Sequence, residues 1–361
     1  MSNIVGDVLK QHYFHMVLLY CLNQINGERS VSAIYHLLNG KKSSQTIQDG
    51  KLFFLSHLFS LFPRLTRQQV LEECEIILKE GLIEQLSNHH FILTEKGKSI
   101  LDEYLKIKPI PPKLNGWEYG DVGRIFWRRL SILVQVLSNF AFERNHYLPV
   151  TKNQEDLQWV KRFLKESELS KSNLIHMLYE ELKFTLQRQS KRDAMIFIQR
   201  MTSSEKIGLT FEQIAQKYNE DPVYISLLFW NVIHSIIHLQ QSGNSQHVIL
   251  NDIIIDKLQK NTLTASTAKT RSYLLQGIGI SEIAVIRRLK ENTIEDHIVE
   301  ITLHDKTYTP DTFLSQSDFN QISNAIALLK THQLKKVKEY LNHQYSYFQI
   351  RLAFAMNGRN G

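Results

Sequence analysis

This sequence has little cysteine and no long hydrophobic run. Only two cysteines, Cys21 and Cys74, occur among 361 residues, and both lie in apolar helical patterns typical of buried side chains. Two such residues exclude a disulfide framework. No uninterrupted apolar segment reaches the length that spans a membrane, and the apolar residues 17–22 precede polar residues rather than a small-residue cleavage site. We therefore expect a cytoplasmic protein without membrane contact.

Motifs of common enzyme and metal sites are also missing. The sequence has no nucleophile elbow, no phosphate-cradling glycine loop and no helicase motor motif. Gly40-Lys41 does not form a P-loop, because Lys42 stands where Ser or Thr is required. His234 and His238 have the spacing of two zinc ligands, but the glutamate of that motif and a third ligand are missing. We predict no metal, no cofactor and no enzymatic activity.

The composition indicates folded domains. Hydrophobic residues make up 43% of the chain, whose length suits two or three domains. The 43 basic and 36 acidic residues give a net charge of +7, which permits contact with nucleic acid or an acidic protein without requiring it.

A helix-turn-helix pattern occupies residues 266–303. Apolar residues recur every three or four positions on both sides of the polar turn 290–292, which predicts two short amphipathic helices. We expect the second helix to begin at Thr293, because Asn292 suits an N-cap and Glu295 stands at the capping-box position. This arrangement is typical of a helix-turn-helix.

The charges around that turn argue against base reading. The predicted outward positions of the second helix are Thr293, Glu295, Asp296, Val299 and Glu300. Direct base readers are normally Arg, Lys, Asn or Gln, and carboxylates facing phosphate weaken binding. The basic residues of the preceding helix and turn are Arg287, Arg288 and Lys290. We predict that Thr293, Glu295, Asp296 and Glu300 bind a protein partner while the basic group contacts the DNA backbone.

Residues 65–105 have the element order of a winged helix. Thr66 and Gln69 form a capping-box pair before an amphipathic helix, and residues 82–86 and 91–93 read as the two strands of a wing. The exposed face of the helix before the wing is rich in glutamate, which would repel phosphates from a reading helix in the major groove.

Three further groups are candidates for nucleic-acid contact. The first, Lys41, Lys42 and Ser43, places cations and donors at a helix start, and its alternative is an exposed connection with a serine cap. The second group surrounds Trp127 and consists of Arg124, Arg128 and Arg129. The third consists of Lys335, Lys336 and Lys338. Basic groups beside aromatic residues can bind a strand, but ordinary solvated helix faces have the same composition.

The predicted domains follow the breaks in pattern. Prolines and glycines mark residues 107–123 as a linker. We expect a winged-helix-like domain over 1–106, a helical middle domain with a second helix-turn-helix-like pair over 124–260, and the C-terminal helix-turn-helix domain over 264–356. The predicted fold class is mainly α.

Two resemblances extend these expectations. Residues 277–284, 291–298 and 345–352 resemble the helix-turn-helix domain at the C-termini of some RecQ-family helicases. Together with residues 32–49 and 63–67, they resemble the YpbB family of Gram-positive bacteria over nearly the full chain. That resemblance implies a cytoplasmic protein whose gene commonly neighbours that of a short RecQ-type helicase lacking its own helix-turn-helix domain. It brings no assigned binding residues.

Two functions follow as alternatives. The first is a non-catalytic, DNA-associated adaptor that docks a RecQ-type helicase and contacts the DNA backbone without sequence preference. The second is a helix-turn-helix transcription regulator that reads DNA directly. The acidic outward faces favour the adaptor, and the oligomeric state stays open.

Overall fold

Helices dominate the computed structural model, which describes residues 12–241, 248–258 and 263–358. Within these ranges the secondary structure is eighteen α-helices, one short 3₁₀ turn and a single two-stranded sheet. Many helices begin at a Ser, Thr or Asn whose side chain accepts a hydrogen bond from the backbone of the first turn, as Ser43, Asn115 and Ser315 do. The predicted mainly-α class is confirmed.

The N-terminal part contains the winged-helix elements. They are α1 (Tyr13–Ile25), α2 (Val31–Asn39), α3 (Ser44–Leu52), the 3₁₀ turn (Ser56–Leu58), α4 (Arg67–Lys79), β1 (Ile83–Ser87), β2 (His90–Leu93) and α5 (Glu95–Ile107). Helix α2 ends at Gly40, whose φ of 90° is readily adopted only by glycine.

The predicted wing is present as an antiparallel hairpin. Strands β1 and β2 pair with Ile83 opposite Leu93, and the register shifts near the turn. Thr66 and Gln69 form the predicted capping box at the start of α4. Gly97 of α5 lies so close to the Leu82 carbonyl that a Cβ would approach its oxygen to 2.0 Å, which fixes glycine at this position.

Within the described residues of the middle part, the regular secondary structure consists only of helices. Its helices are α6 (Gly116–Ala141), α7 (Gln154–Glu166), α8 (Lys171–Leu186), α9 (Lys191–Gln199), α10 (Phe211–Tyr218), α11 (Pro222–Gln241) and α12 (Val248–Asp252). Phe197 and Phe229 stack with 6.1 Å between ring centroids, and Trp127 packs edge-on against both. Helices α10 and α11 pack against each other at the position of the second predicted helix-turn-helix-like pair.

The C-terminal part packs six helices around one apolar core. They are α13 (Ala265–Leu274), α14 (Ile280–Arg287), α15 (Glu291–His304), α16 (Gln316–Leu329), α17 (Leu334–Tyr340) and α18 (Tyr347–Asn357). Ile294, Ile298 and Ile350 are fully buried in this core, and Leu52 of α3 packs against it.

Tertiary contacts divide the chain into two compact units. Unit 1 comprises residues up to 17 together with 102–258, and unit 2 comprises 18–101 together with 259–361. The elements from α2 to β2 therefore belong to the same unit as the C-terminal helices, and the division falls within α1 and α5. The predicted linker 107–123 is wrong in its second half, because α6 already begins at Gly116, where Asn115 caps it. The predicted domain limits at residues 1 and 260 lie outside the described residues.

One described helix, α11, is long and apolar enough to cross a membrane by composition. Most of its residues are buried within unit 1, as in the core helix of a folded domain. The two cysteines are buried as predicted, and neither forms a disulfide.

Candidate nucleic-acid and partner interface

Helices α14 and α15 form the predicted helix-turn-helix. The turn between them contains Arg288 in the left-handed region, with φ 54°. Helix α15 begins at Glu291, two residues before the predicted start. Lys290 occupies the N-cap position and makes no side-chain capping bond, so the predicted Asn292 cap is wrong. Asn292 lies inside the first turn instead, because the chain becomes helical directly after the Arg288 turn.

Neighbours within unit 2 bury most of helix α15 beyond its first turn, in which Glu291 and Asn292 are exposed. The helix packs against α13, α14 and α18, and also against α3 from the N-terminal part. Eight of its residues are buried, including Val299 and Glu300. The expectation that these two face outward is therefore wrong. The apolar period of α15 identified the side that faces the C-terminal core, but other helices cover its polar side as well.

Glu300 holds the start of α13. Its side chain is 4% exposed and accepts hydrogen bonds from the Thr264 amide at 2.6 Å, the Thr264 hydroxyl at 3.2 Å and the Thr267 hydroxyl at 2.7 Å. Burial raises the pKa of this carboxyl above its usual range, although these hydrogen bonds and the charge of Lys42 favour its ionised form. Glu300 is thus a structural residue, inaccessible to a partner.

Asp296 is also bound internally. It forms an ion pair with Arg351 of α18, and the Arg351 guanidinium donates to Ser44 at 3.1 Å and Gln48 at 3.2 Å on α3. One arginine therefore joins α3, α15 and α18. Thr293 and Glu295 are half-buried, and burial raises the pKa of the Glu295 carboxyl.

The predicted basic group divides into one structural and two accessible residues. Arg287 donates to the Ser266 carbonyl at 2.9 Å, to the Ser266 hydroxyl at 2.9 Å and to Thr270, so it fastens α14 to α13. Burial and the Arg287 charge lower the pKa of the neighbouring His297 to about 4. Arg288 and Lys290 are exposed.

The Lys41-Lys42-Ser43 segment lies at the start of α3. Ser43 accepts a hydrogen bond from the Thr46 amide and pairs with the Thr46 hydroxyl at 2.8 Å, so its side chain is the helix cap. Lys41 and Lys42 are exposed. Helix α3, which this segment precedes, packs against α15, so tertiary folding brings the segment near that helix.

The C-terminal lysines lie on α17. Lys335 and Lys336 are exposed, and Lys335 is 3.8 Å from Glu339 in an exposed pair. Lys338 is half-buried, with its ammonium 4.2 Å from the centroid of the Tyr347 ring.

An open depression of about 620 Å³ lies beside the wing in unit 2. Ser87 and His90 of the wing line it together with Arg29, Gln45 and Lys335. Arg29 is held by Asp49 at 2.9 Å, whereas Lys335 is exposed at its rim. The depression therefore combines the cations of Arg29 and Lys335 and several hydrogen-bond donors with the carboxylate of Glu28, which also lines it, so its charge is mixed.

The acidic face of α4 is accessible. Glu72 and Glu75 are exposed on this helix, and Glu80 is exposed directly after its end. The helix precedes the wing, in the position of a winged-helix reading helix. Three exposed carboxylates on that face repel a phosphate backbone.

The three arginines of α6 belong to unit 1, and each forms an ion pair within it. Arg129 is 1% exposed, donates to both Asp256 oxygens at 2.6 and 3.0 Å, and lies 4.4 Å from the Trp159 ring centroid. Arg128 pairs with Asp156, and Arg124 pairs with Asp121 at 2.6 Å. The expected solvent exposure of Arg129 is therefore wrong, because residues far away in sequence supply its carboxylate and its aromatic partner.

The sequence patterns did not predict several hydrogen bonds between helices and loops. Besides Arg351, Glu28 accepts from the Thr331 hydroxyl and the His332 amide, each at 2.7 Å. These hydrogen bonds outweigh burial and lower the pKa of Glu28. No local signal distinguishes such residues from solvated charges, since Thr331 is 303 positions from Glu28 and Arg351 is 303 positions from Gln48.

Among the residues that the structure describes, no group of three or more His, Cys, Asp and Glu side chains could hold a metal ion. His234 accepts from the Asn115 amide at 2.9 Å, and burial lowers its pKa to about 3. It therefore acts as a neutral core residue.

Residues 266–354 match a family model described as "Helix-turn-helix domain". Together with the α14–α15 geometry, this match defines the class: the chain is a helix-turn-helix protein, and such a domain supports DNA association. Protein YpbB of Bacillus subtilis (strain 168) is 37% identical over 347 residues, which cover 95% of this chain and 97% of that protein. The chain belongs to the YpbB family. No solved structure gives a significant match.

Proposed function

We propose that this protein is a non-catalytic, cytoplasmic accessory protein of a RecQ-type helicase that docks the helicase and contacts the DNA backbone without sequence preference. The observation that carries the proposal is the state of its two potential reading helices. Helix α15 packs against α3, α13, α14 and α18 and exposes only a first turn that begins with Glu291, whereas α4 is exposed but acidic. Neither surface suits base reading in a major groove.

The alternative, a transcription regulator, requires one of those helices to enter DNA. For α15 this means separating it from α3 and from α18, where Arg351 forms an ion pair with Asp296. For α4 it means bringing Glu72, Glu75 and Glu80 against phosphates. Both requirements favour the adaptor.

Backbone contact is assigned to the exposed cations of unit 2. The six residues are Lys41, Lys42, Arg288, Lys290, Lys335 and Lys336. Such contacts make binding salt-dependent, with a slope of about −0.9 per phosphate neutralised in a plot of log affinity against log salt. Thr293 and Glu295 stay candidate partner contacts because they are partly accessible.

The first experiment tests the helicase interaction. The purified chain is mixed with the short RecQ-type helicase of the same organism, and the mixture is analysed by size-exclusion chromatography and by unwinding assays with and without the chain. Co-elution and a changed unwinding rate are expected. Separate elution at low salt, with unchanged unwinding, contradicts the adaptor function.

The second experiment tests the DNA contact by fluorescence anisotropy on duplexes of unrelated sequence over a series of salt concentrations. Lys335→Ala/Lys336→Ala is expected to weaken binding equally on all duplexes and to reduce the salt slope by about 2. Lys161→Ala/Lys165→Ala removes the same charge from exposed positions of unit 1 and is the control. Tight binding to one short sequence only would favour the regulator instead.

A further inference from the structure

Unit 1 contains an apolar cleft that the proposed function has not used. Its volume is about 650 Å³, and its walls come from α8 and α9. Val134 of α6 and Phe197 of α9 are among its lining residues. A cleft of this size, lined mainly by apolar side chains, is unusual on the surface of a protein without a ligand or partner.

Large apolar side chains remain accessible around this cleft. Tyr179 is 59% exposed, Ile198 is 49% exposed and Met195 is 38% exposed. Burying such side chains contributes about 25 cal/mol per Å² of apolar area removed from water. Methionine adapts its shape to a partner, and tyrosine supplies a large surface with a polar end. The cleft therefore has the chemistry of a protein-binding groove.

The charges at the cleft have one sign. Lys183 and Lys191 line it and are exposed, and no carboxylate occurs among its described lining residues. Glu180 lies 3.4 Å from Lys183, but both members of this pair are exposed and solvent screens their attraction. The second lysine, Lys191, begins α9. An occupant with acidic residues beside its apolar face complements this arrangement.

We propose that this cleft binds an acidic amphipathic α-helix of a partner protein, with the apolar stripe of that helix against α8 and α9 and its carboxylates beside Lys183 and Lys191. A helix presents apolar residues at intervals of three and four along one face, which suits a groove between two helices. The proposal rests on the proposed function only for the identity of the partner, in which the helicase is the first candidate to carry this helix.

The test uses the full chain and two synthetic fluorescent peptides of about 20 residues. Both carry leucines on one helical face, and the other positions hold glutamate in one peptide and lysine in the other. Anisotropy is expected to show at least about tenfold tighter binding of the glutamate peptide. Equal affinity for the two peptides, or no binding of the glutamate peptide, overturns the proposal.

Substitutions at the cleft test whether the glutamate peptide binds there. Ile198→Glu is expected to weaken binding of the glutamate peptide at least about tenfold, because it places a charge in the apolar wall of the cleft. Lys183→Glu/Lys191→Glu should reverse the preference between the peptides, whereas Lys161→Glu/Lys165→Glu makes the same charge change elsewhere in unit 1 and should preserve it. Unchanged binding by Ile198→Glu overturns the assignment, and circular dichroism checks that each variant folds.

The helicase experiment separates the two proposals. If the glutamate peptide binds in the cleft but the helicase does not co-elute, only the helicase function fails. If the helicase co-elutes equally with Ile198→Glu and the wild type, while that variant has lost the peptide, a different protein is the occupant. If co-elution persists and the peptide binds elsewhere or not at all, the cleft proposal alone is refuted.

Discussion

Replacing Glu300 distinguishes a structural carboxylate from a partner-binding one. Glu300→Ala removes the acceptor of the Thr264 amide and of the Thr264 and Thr267 hydroxyls. The Thr264 hydroxyl can still donate to the Thr267 hydroxyl at 2.9 Å, so the main losses are the acceptor of the Thr264 amide, the acceptor of the buried Thr267 hydroxyl and the packing of the methylene groups. We expect the free energy of unfolding to fall by about 2 to 3 kcal/mol.

Glu300→Gln retains the volume and an acceptor, but it removes the charge. Because burial raises the pKa of Glu300 in the folded state, the folded protein binds more protons than the unfolded chain between the ordinary value of 4.5 and the raised value. The wild type therefore loses stability as the pH rises through that window. Glu300→Gln lacks this loss, so its stability relative to the wild type should improve with rising pH.

Urea unfolding followed by circular dichroism, from about pH 4 to about pH 8, measures both effects. Glu75→Ala removes an exposed carboxylate from α4 of the same unit and should change stability by no more than about 0.5 kcal/mol. If Glu300→Ala were as stable as Glu75→Ala and instead lost a binding partner, the buried assignment of Glu300 would be refuted.

Two further predictions concern unit 1. Arg129→Met should lower the free energy of unfolding by about 3 kcal/mol, because it removes a buried guanidinium that is hydrogen-bonded to Asp256. Thermal melts measure this change, with the exposed Lys161→Met as control. Equal melting temperatures for the two variants would contradict the prediction. For His234, whose folded pKa of about 3 lies below its ordinary 6.5, the unfolded state binds more protons between these values, so stability should fall as the pH is lowered through that window. As the pH is lowered, the urea midpoint of His234→Gln should fall less than that of the wild type. Parallel plots of midpoint against pH for the two proteins would exclude a contribution of His234 to the pH dependence.

The local structure was largely predictable. The capping box of Thr66 and Gln69, the wing and the end of α2 at Gly40 depend on interactions within a few residues, which the sequence displays directly. The prediction failed where the signal was ambiguous. Asn292 has an N-cap side chain, but the geometry of the preceding turn places the cap at Lys290.

The candidate interface depended much more on tertiary structure. Helical period identified the apolar face of α15 correctly, but it assumed that the opposite face meets water. In the structure Glu300 is enclosed with Thr264 and Thr267, and Asp296 meets Arg351. A polar face can be buried when its groups find hydrogen-bond partners, and those partners lie on other helices.

The sequence by itself determined the mainly helical class, the winged-helix order, the helix-turn-helix and the membership of the YpbB family, because each of these rests on local pattern or on extended similarity. Only the tertiary structure decided which charged residues are available to a partner. Arg129, Arg287, Arg351 and Lys335 are all basic residues. Folding nevertheless places the three arginines in hydrogen bonds with other parts of the chain and leaves the lysine at the surface. The physical reason is that a charge is removed from water only where distant parts of the chain supply its counter-charge and hydrogen bonds.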